Sequence, residues 1–241
     1  MHPSEFFINN QWSNVTDSFI RNKPTIPSAK RIKEFRERPG GTKLIIDKNY
    51  YDNVPLSLDC YFKAPSIEET SHYQNLVTRW LDFGNYTQTE FMYDPHYIYL
   101  AAIASEPVFQ LKNSRVIPYS FALELLPFKL NKFGLYKREF SRRIELVNPE
   151  QYPSNPEIHI FGQGDISLTI NNQSIMLKGV VNDIQLDCEE KECFKYMNGI
   201  LINQSHLKFG NYPVLEVGKN KIEVLGNVSR VEIVPRWCTK I

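Results

Sequence analysis

Turn-forming residues punctuate this chain from end to end. Short runs of alternating apolar and polar residues lie between Asn, Gly and Pro at roughly 8–12-residue intervals. That spacing admits strands and leaves little room for helices. Leu56, Leu58 and Cys60 alternate with Ser57, Asp59 and Tyr61 behind Pro55, so one face of this segment points inward. Lys43–Asn49 follows the turn Pro39-Gly40-Gly41 as a short strand, and strands are expected again over 97–104 and 116–126. Further on, Ile158 and Ile160 alternate with Glu157 and His159, and Ile184, Leu186 and Cys188 repeat the period. Leu168 and Ile170 lead into Asn171-Asn172, and Ile175 and Leu177 lead out, which predicts a hairpin. Ile222, Val224, Gly226-Asn227, Val231 and Ile233 predict a second one.

One segment has helical spacing. Tyr73, Leu76, Val77, Trp80 and Leu81 form a stripe, Ser66 and Glu69 form a capping box ahead of it, and Gly84 is expected to stop it in a left-handed conformation. The chain turns polar and basic over 131–143, and Pro149, Pro153 and Pro156 follow. A proline-stiffened linker there divides the chain into domains 1–138 and 139–241.

Composition removes several classes of function. With 241 residues and a formal charge of +1, the chain as a whole lacks the basic excess that drives phosphate binding. No apolar run is long enough for a spanning helix, and the first residues do not read as a secretion signal. Synthesis in the cytoplasm is therefore expected, and Cys60, Cys188, Cys193 and Cys238 are too few and too scattered for a disulfide framework. No histidine pair has the spacing of a helical metal site, and no second cysteine pair joins Cys188 and Cys193. Arg38-Pro39-Gly40-Gly41-Thr42-Lys43 lacks the spacing of a phosphate loop. Glu68-Glu69 opens a helix, where negative charge complements the dipole, and Glu189-Glu190 sits in a charged loop. Neither pair calls for acid–base chemistry. No enzyme, cofactor or metal is expected.

Five stretches carry a more specific pattern. Tyr212-Pro213-Val214-Leu215, Gly218-Lys219-Asn220-Lys221-Ile222, Gly226 and the run Val231 to Trp237 follow one another at tight spacing. Upstream lie Gly164–Asn172 and Asp183–Asp187. In the first half, the basic stretch Lys30–Lys43 runs into its glycine turn, and Leu126-Pro127-Phe128 closes the domain. Together these resemble the distal tail (Dit) family of siphophages, although the spacing of the first glycine turn departs from the family pattern.

The resemblance implies a mainly β protein. Its N-terminal β-sandwich would carry one helix and a protruding hairpin, and its C-terminal domain would be a galectin-like β-sandwich. Six copies would form a hub ring around the DNA channel at the distal end of a phage tail. The implied partners are the major tail tube protein, a tail-tip protein of lysin or tail-spike type and, as further candidates, receptor-binding proteins. DNA would only pass through, and no membrane is involved. Candidate subunit-interface residues are Arg31, Lys33, Phe35, Arg36 and Arg38, where charges of both signs flank Ile32 and Phe35, with Phe7 and Trp12 of the first strand. The alternative reading is a carbohydrate-binding module, with Tyr196 and Trp237 as sugar platforms and Tyr212 and Phe209 beside them.

Overall fold

The computed structural model describes residues 2–241. Among these residues the protein is mainly β, with one α-helix, two nine-stranded sheets and a separate two-stranded hairpin. It divides into two compact units: residues up to Lys129 with Lys240–Ile241, and Leu130–Thr239.

The first unit contains β1 (Phe6–Ile8), β2 (Gln11–Trp12), β3 (Ser18–Ile20), β4 (Arg31–Arg36), β5 (Leu44–Tyr51), β6 (Val54–Lys63), α1 (Thr70–Trp80), β7 (Thr87–Phe91), β8 (Tyr97–Phe109) and β9 (Val116–Leu125). The chain passes to the second unit within β10 (Phe128–Asn131). The main path of the sheet runs β2-β1-β7-β8-β9-β6-β3. Its two ends approach each other where the Ile20 amide donates to the Ser4 carbonyl at 2.9 Å, so the sheet curls around its own core. The alternation expected at 56–61 holds along all of β6, whose buried Val54, Leu56, Leu58, Cys60 and Phe62 face inward. An unbroken ten-pair register with β9, from Val54↔Leu125 to Lys63↔Val116, fixes which face that is.

Helix α1 caps this core with Val77, Trp80 and the following Leu81. Trp80 stacks on Phe6 at 5.3 Å, and its indole N–H donates to the Ile8 carbonyl at 2.9 Å, so the ring is buried without losing its hydrogen bond. The expected ends of the helix are not those observed. Ser66 bonds the Glu68 side chain and caps no amide of the helix. The helix starts at Thr70, whose hydroxyl donates to the Ile67 carbonyl at 2.7 Å. It finishes when the amide of buried Leu81 donates to the Val77 carbonyl at 3.0 Å, before Gly84, which is not left-handed.

The second unit contains β11 (Arg138–Phe140), β12 (Arg143–Asn148), β13 (Glu157–Ile170), β14 (Gln173–Val180), β15 (Asp183–Asp187), β16 (Glu192–Met197), β17 (Ile200–Asn203), β18 (Lys208–Phe209) and β19 (Gly218–Val234). β20 (Cys238–Lys240) carries the chain back to the first unit. Arg138–Phe140 and Arg143–Asn148, expected in a linker, are strands paired to β19.

Strands β13 and β19 are long, and both change layer midway. The first half of β13 pairs with β15 and with the second half of β19. Its second half pairs with β14 and with the first half of β19. Register shifts between Phe161 and Ser167 mark the fold line, so one sheet doubles over into two layers. Ile158, Ile160, Ile166, Leu168, Ile170, Ile222, Val224, Val231 and Ile233 meet between them.

The hairpin expected at Asn171-Asn172 is present, closed by Ile170↔Gln173 with Asn171 at φ 53°. The hairpin expected at Gly226-Asn227 is not. β19 runs straight through those residues, because Gly226 sits at the fold line. Its φ is +120°, and a Cβ there would lie 2.6 Å from the Asp165 carbonyl oxygen. This glycine serves a close backbone crossing, which in sequence looks the same as a turn.

Candidate interaction surfaces

The β4–β5 hairpin is a sheet of its own. Its five register pairs include Lys33↔Asp47 and Phe35↔Ile45. Alternation here exposes both faces: Phe35 is 61% and Ile45 58% exposed, and Leu44 and Tyr50 are exposed as well. Ion pairs hold the strands in register. Arg31 Nε lies 2.6 Å from Asp47, and Glu34 takes Arg36 at 2.6 Å and Lys48 at 2.7 Å. Hydrogen bonds from Lys48 and Arg36, reinforced by their charges, pull the Glu34 carboxyl down to about 2. From Lys30 to Tyr51 seven lysines and arginines face three carboxylates, so the hairpin is a basic, apolar projection on a nearly neutral chain. Arg38 lies just beyond β4, with its side chain alongside Gly41.

Phe7 and Trp12 form a second surface at the edge of the curled sheet. They are register partners across β1 and β2, with ring centroids 5.5 Å apart, and both are half-buried. Asn9 and Asn10, at φ 49° and 58°, close this hairpin with the two left-handed residues that a tight two-residue turn demands. The pair Asn9-Asn10 was the signal in the sequence for this turn. The structure brings Phe7 and Trp12 together, and it brings Arg31, Lys33, Phe35 and Arg36 together. Among the described residues no hydrogen bond, ion pair or ring contact joins the two sets.

In the second unit, Tyr196 is 55% exposed, near the tip of the β16–β17 hairpin. Leu201 opposes it, and exposed Met197 and Ile200 close the tip. Trp237 is 6% exposed and belongs to the core. A Cβ on Gly134 would fall 2.7 Å from that of Trp237, so the indole fills the space beside a glycine and presents no face for a sugar. Tyr196 and Trp237 therefore form no common platform. Tyr212 carries the Lys208 ammonium over its ring at 4.1 Å, and Phe209 carries Lys178 at 5.1 Å.

All four cysteines are free thiols. Burial pushes Cys188 up to about 12, Cys193 and Cys238 up to about 11, and Cys60 higher still, so none is a thiolate at neutral pH. His159 Nε2 lies 2.7 Å from Asp183, but no hydroxyl or thiol bonds this histidine among the described residues. Among the described residues, no group of three or more His, Cys, Asp or Glu residues has the arrangement of a metal site, and no helix is long and apolar enough to cross a membrane.

This fold, a curled β-sheet with one capping helix followed by a doubled-over sheet, is similar to solved structures from phage tails. The solved structures similar to this chain include the Dit protein (gp 19.1) of phage SPP1, described as a paradigm of hub adsorption apparatus in phages infecting Gram-positive bacteria. That match has a TM-score of 0.67 at 9% identity and covers 98% of both chains. The phage P2 baseplate in its activated conformation also matches. The calcium form has a TM-score of 0.51 at 8% identity and the strontium form 0.51 at 9%, each covering 90% of this chain and 89% of the other. No protein-family model matches the chain, and no curated protein matches it in sequence.

Proposed function

We propose that this chain is a structural component of a phage tail tip, and that six copies form a hub ring between the tail tube and the tip proteins. The observation that carries this reading is the end-to-end likeness to the SPP1 Dit protein, which takes in both units. Below 25% identity such a likeness speaks for the fold, so the function rests on the surfaces as well. The basic, apolar β4–β5 hairpin, with Phe35 and Ile45 held out in solvent by ion-paired strands, is built as a contact element. In this reading Arg31, Lys33, Phe35, Arg36 and Arg38 meet a neighbouring copy, and Phe7 and Trp12 form a second contact. The first unit forms the ring, DNA passes through the channel, and the work of the protein is assembly and not chemistry. Electron microscopy and light scattering of the purified protein test this, alone and with tube or tip protein added. Closed six-fold rings are expected. A monomer at every concentration and with either partner present would overturn the reading.

A further inference from the structure

The two ends of α1 carry complementary chemistry. Just ahead of the helix, Ile67 is 47% exposed and is followed by the exposed carboxylates Glu68 and Glu69. Neither forms an ion pair among the described residues. At the far end lies an open groove of about 370 Å³, lined by Val15, Leu76 and Trp80, by Asn9 and Gln11, and by Arg79. Val15 is 65% exposed at its rim. Arg79 is exposed and has no ion pair or hydrogen-bond partner among the described residues. Its nearest acid in sequence, Asp82, forms no ion pair with it among the described residues. The eleven-residue helix separates the lip from the groove by about 16 Å.

A closed ring needs head-to-tail contacts, in which two different patches on each copy fit one another. An acidic, apolar lip and a basic, apolar groove at opposite ends of one rigid element supply such a pair. Resting on the ring reading above, we infer that neighbouring copies dock through α1, with Ile67 of one copy seated in the Val15–Leu76–Trp80 groove of the next and Glu68 and Glu69 facing its Arg79. The occupant is a second copy because one chain holds both halves of the contact. It also holds them on one unit, so the interface does not depend on the second unit.

Charge exchange in the full-length protein is the test, read by native mass spectrometry and light scattering. Arg79→Glu, and separately Glu68→Lys with Glu69→Lys, should each raise the concentration needed for ring formation about tenfold or more. All three changes in one chain should restore assembly, because the opposed charges are then merely exchanged. Circular dichroism checks that each variant is folded. As an independent readout, Val15→Cys with Ile67→Cys in one chain should oxidise to a ladder of linked copies, and neither single variant should. Rings that form as readily in Arg79→Glu as in the parent, with no ladder from the cysteine pair, would overturn this contact and leave the hub reading standing. A parent protein that never assembles would overturn both.

Discussion

Arg236 grips Asp187 with both ends of its guanidinium, Nη1 to Oδ1 at 2.8 Å and Nη2 to Oδ2 at 2.9 Å, while Nη2 also reaches Glu157 at 3.0 Å. The fork fits a carboxylate as a lysine could not. Arg236 makes this contact from a left-handed backbone, φ 55°, held by its amide donating to the Gly134 carbonyl at 2.7 Å.

Removing that side chain should cost about 2–4 kcal/mol, because Asp187 is left partly buried and unpaired. Arg236→Gly should be less damaging than Arg236→Ala by about 1 kcal/mol, since glycine relaxes the left-handed backbone. Urea unfolding of the three proteins gives both differences. An alanine variant as stable as the parent would dispose of the clasp.

The same pair sets a pH dependence. Burial alone would raise the Asp187 carboxyl, but the Arg236 hydrogen bonds, the Glu190 and Glu189 amides and the Arg236 charge outweigh it and hold the group below its ordinary value. A depressed carboxyl contributes stability that is present above the unfolded value of about 4 and is lost as pH falls through the lower folded value. The stability gap between parent and Arg236→Ala should be full at pH 7 and shrink below about pH 4. Thermal melts from pH 7 to 3 measure it, and a gap that widens in acid would contradict the assignment.

Gly226→Ala should destabilise the second unit by about 2–4 kcal/mol, since it adds left-handed strain to a backbone clash with Asp165. Gly199→Ala, at a turn tip where a Cβ meets nothing, retains the strain without the clash and should cost less. Denaturant midpoints rank the two, and equal midpoints would remove the crossing at Gly226 as the cause.

Trp237→Ala and Tyr196→Ala should separate cleanly. The tryptophan is core, so its loss should cost about 3–5 kcal/mol. The exposed tyrosine should change stability by less than about 0.5 kcal/mol. Saturable glycan binding lost in Tyr196→Ala alone would revive a sugar site at that hairpin.

Phe35→Ser should leave the melting temperature within about 2 °C of the parent and weaken assembly, because the side chain is mostly solvated in the single copy. Sedimentation of parent and variant at matched concentration reads this out. A variant that assembles normally would remove Phe35 from the interface.

Much of the fold was legible because strand periodicity is local. The alternation along β6, the Asn171-Asn172 turn and the Val77–Trp80 face of α1 each follow from neighbours in sequence. What escaped reading was non-local. Periodicity says that Trp237 and Gly226 are special, but a buried indole and a platform look alike until Gly134 is seen beside one of them, and a crossing looks like a turn until Asp165 is found above it. Asn220 shows the same limit. In sequence it is one residue of the Gly218–Ile222 stretch, yet it is fully buried and spends its whole amide on Glu216, Gly218 and Asn171. The hairpin residues Arg31 to Arg36 were legible as a charged, two-sided strand, whereas the helix-end groove draws on three separate segments and leaves no pattern in any one of them.

Because β13 and β19 thread both layers of the second unit, neither layer has a complete set of strands to call its own. Melting one would strip the other of its two central members, so the slowest-exchanging amides of this unit should open in a single event, and no half-unfolded species with one intact layer should accumulate.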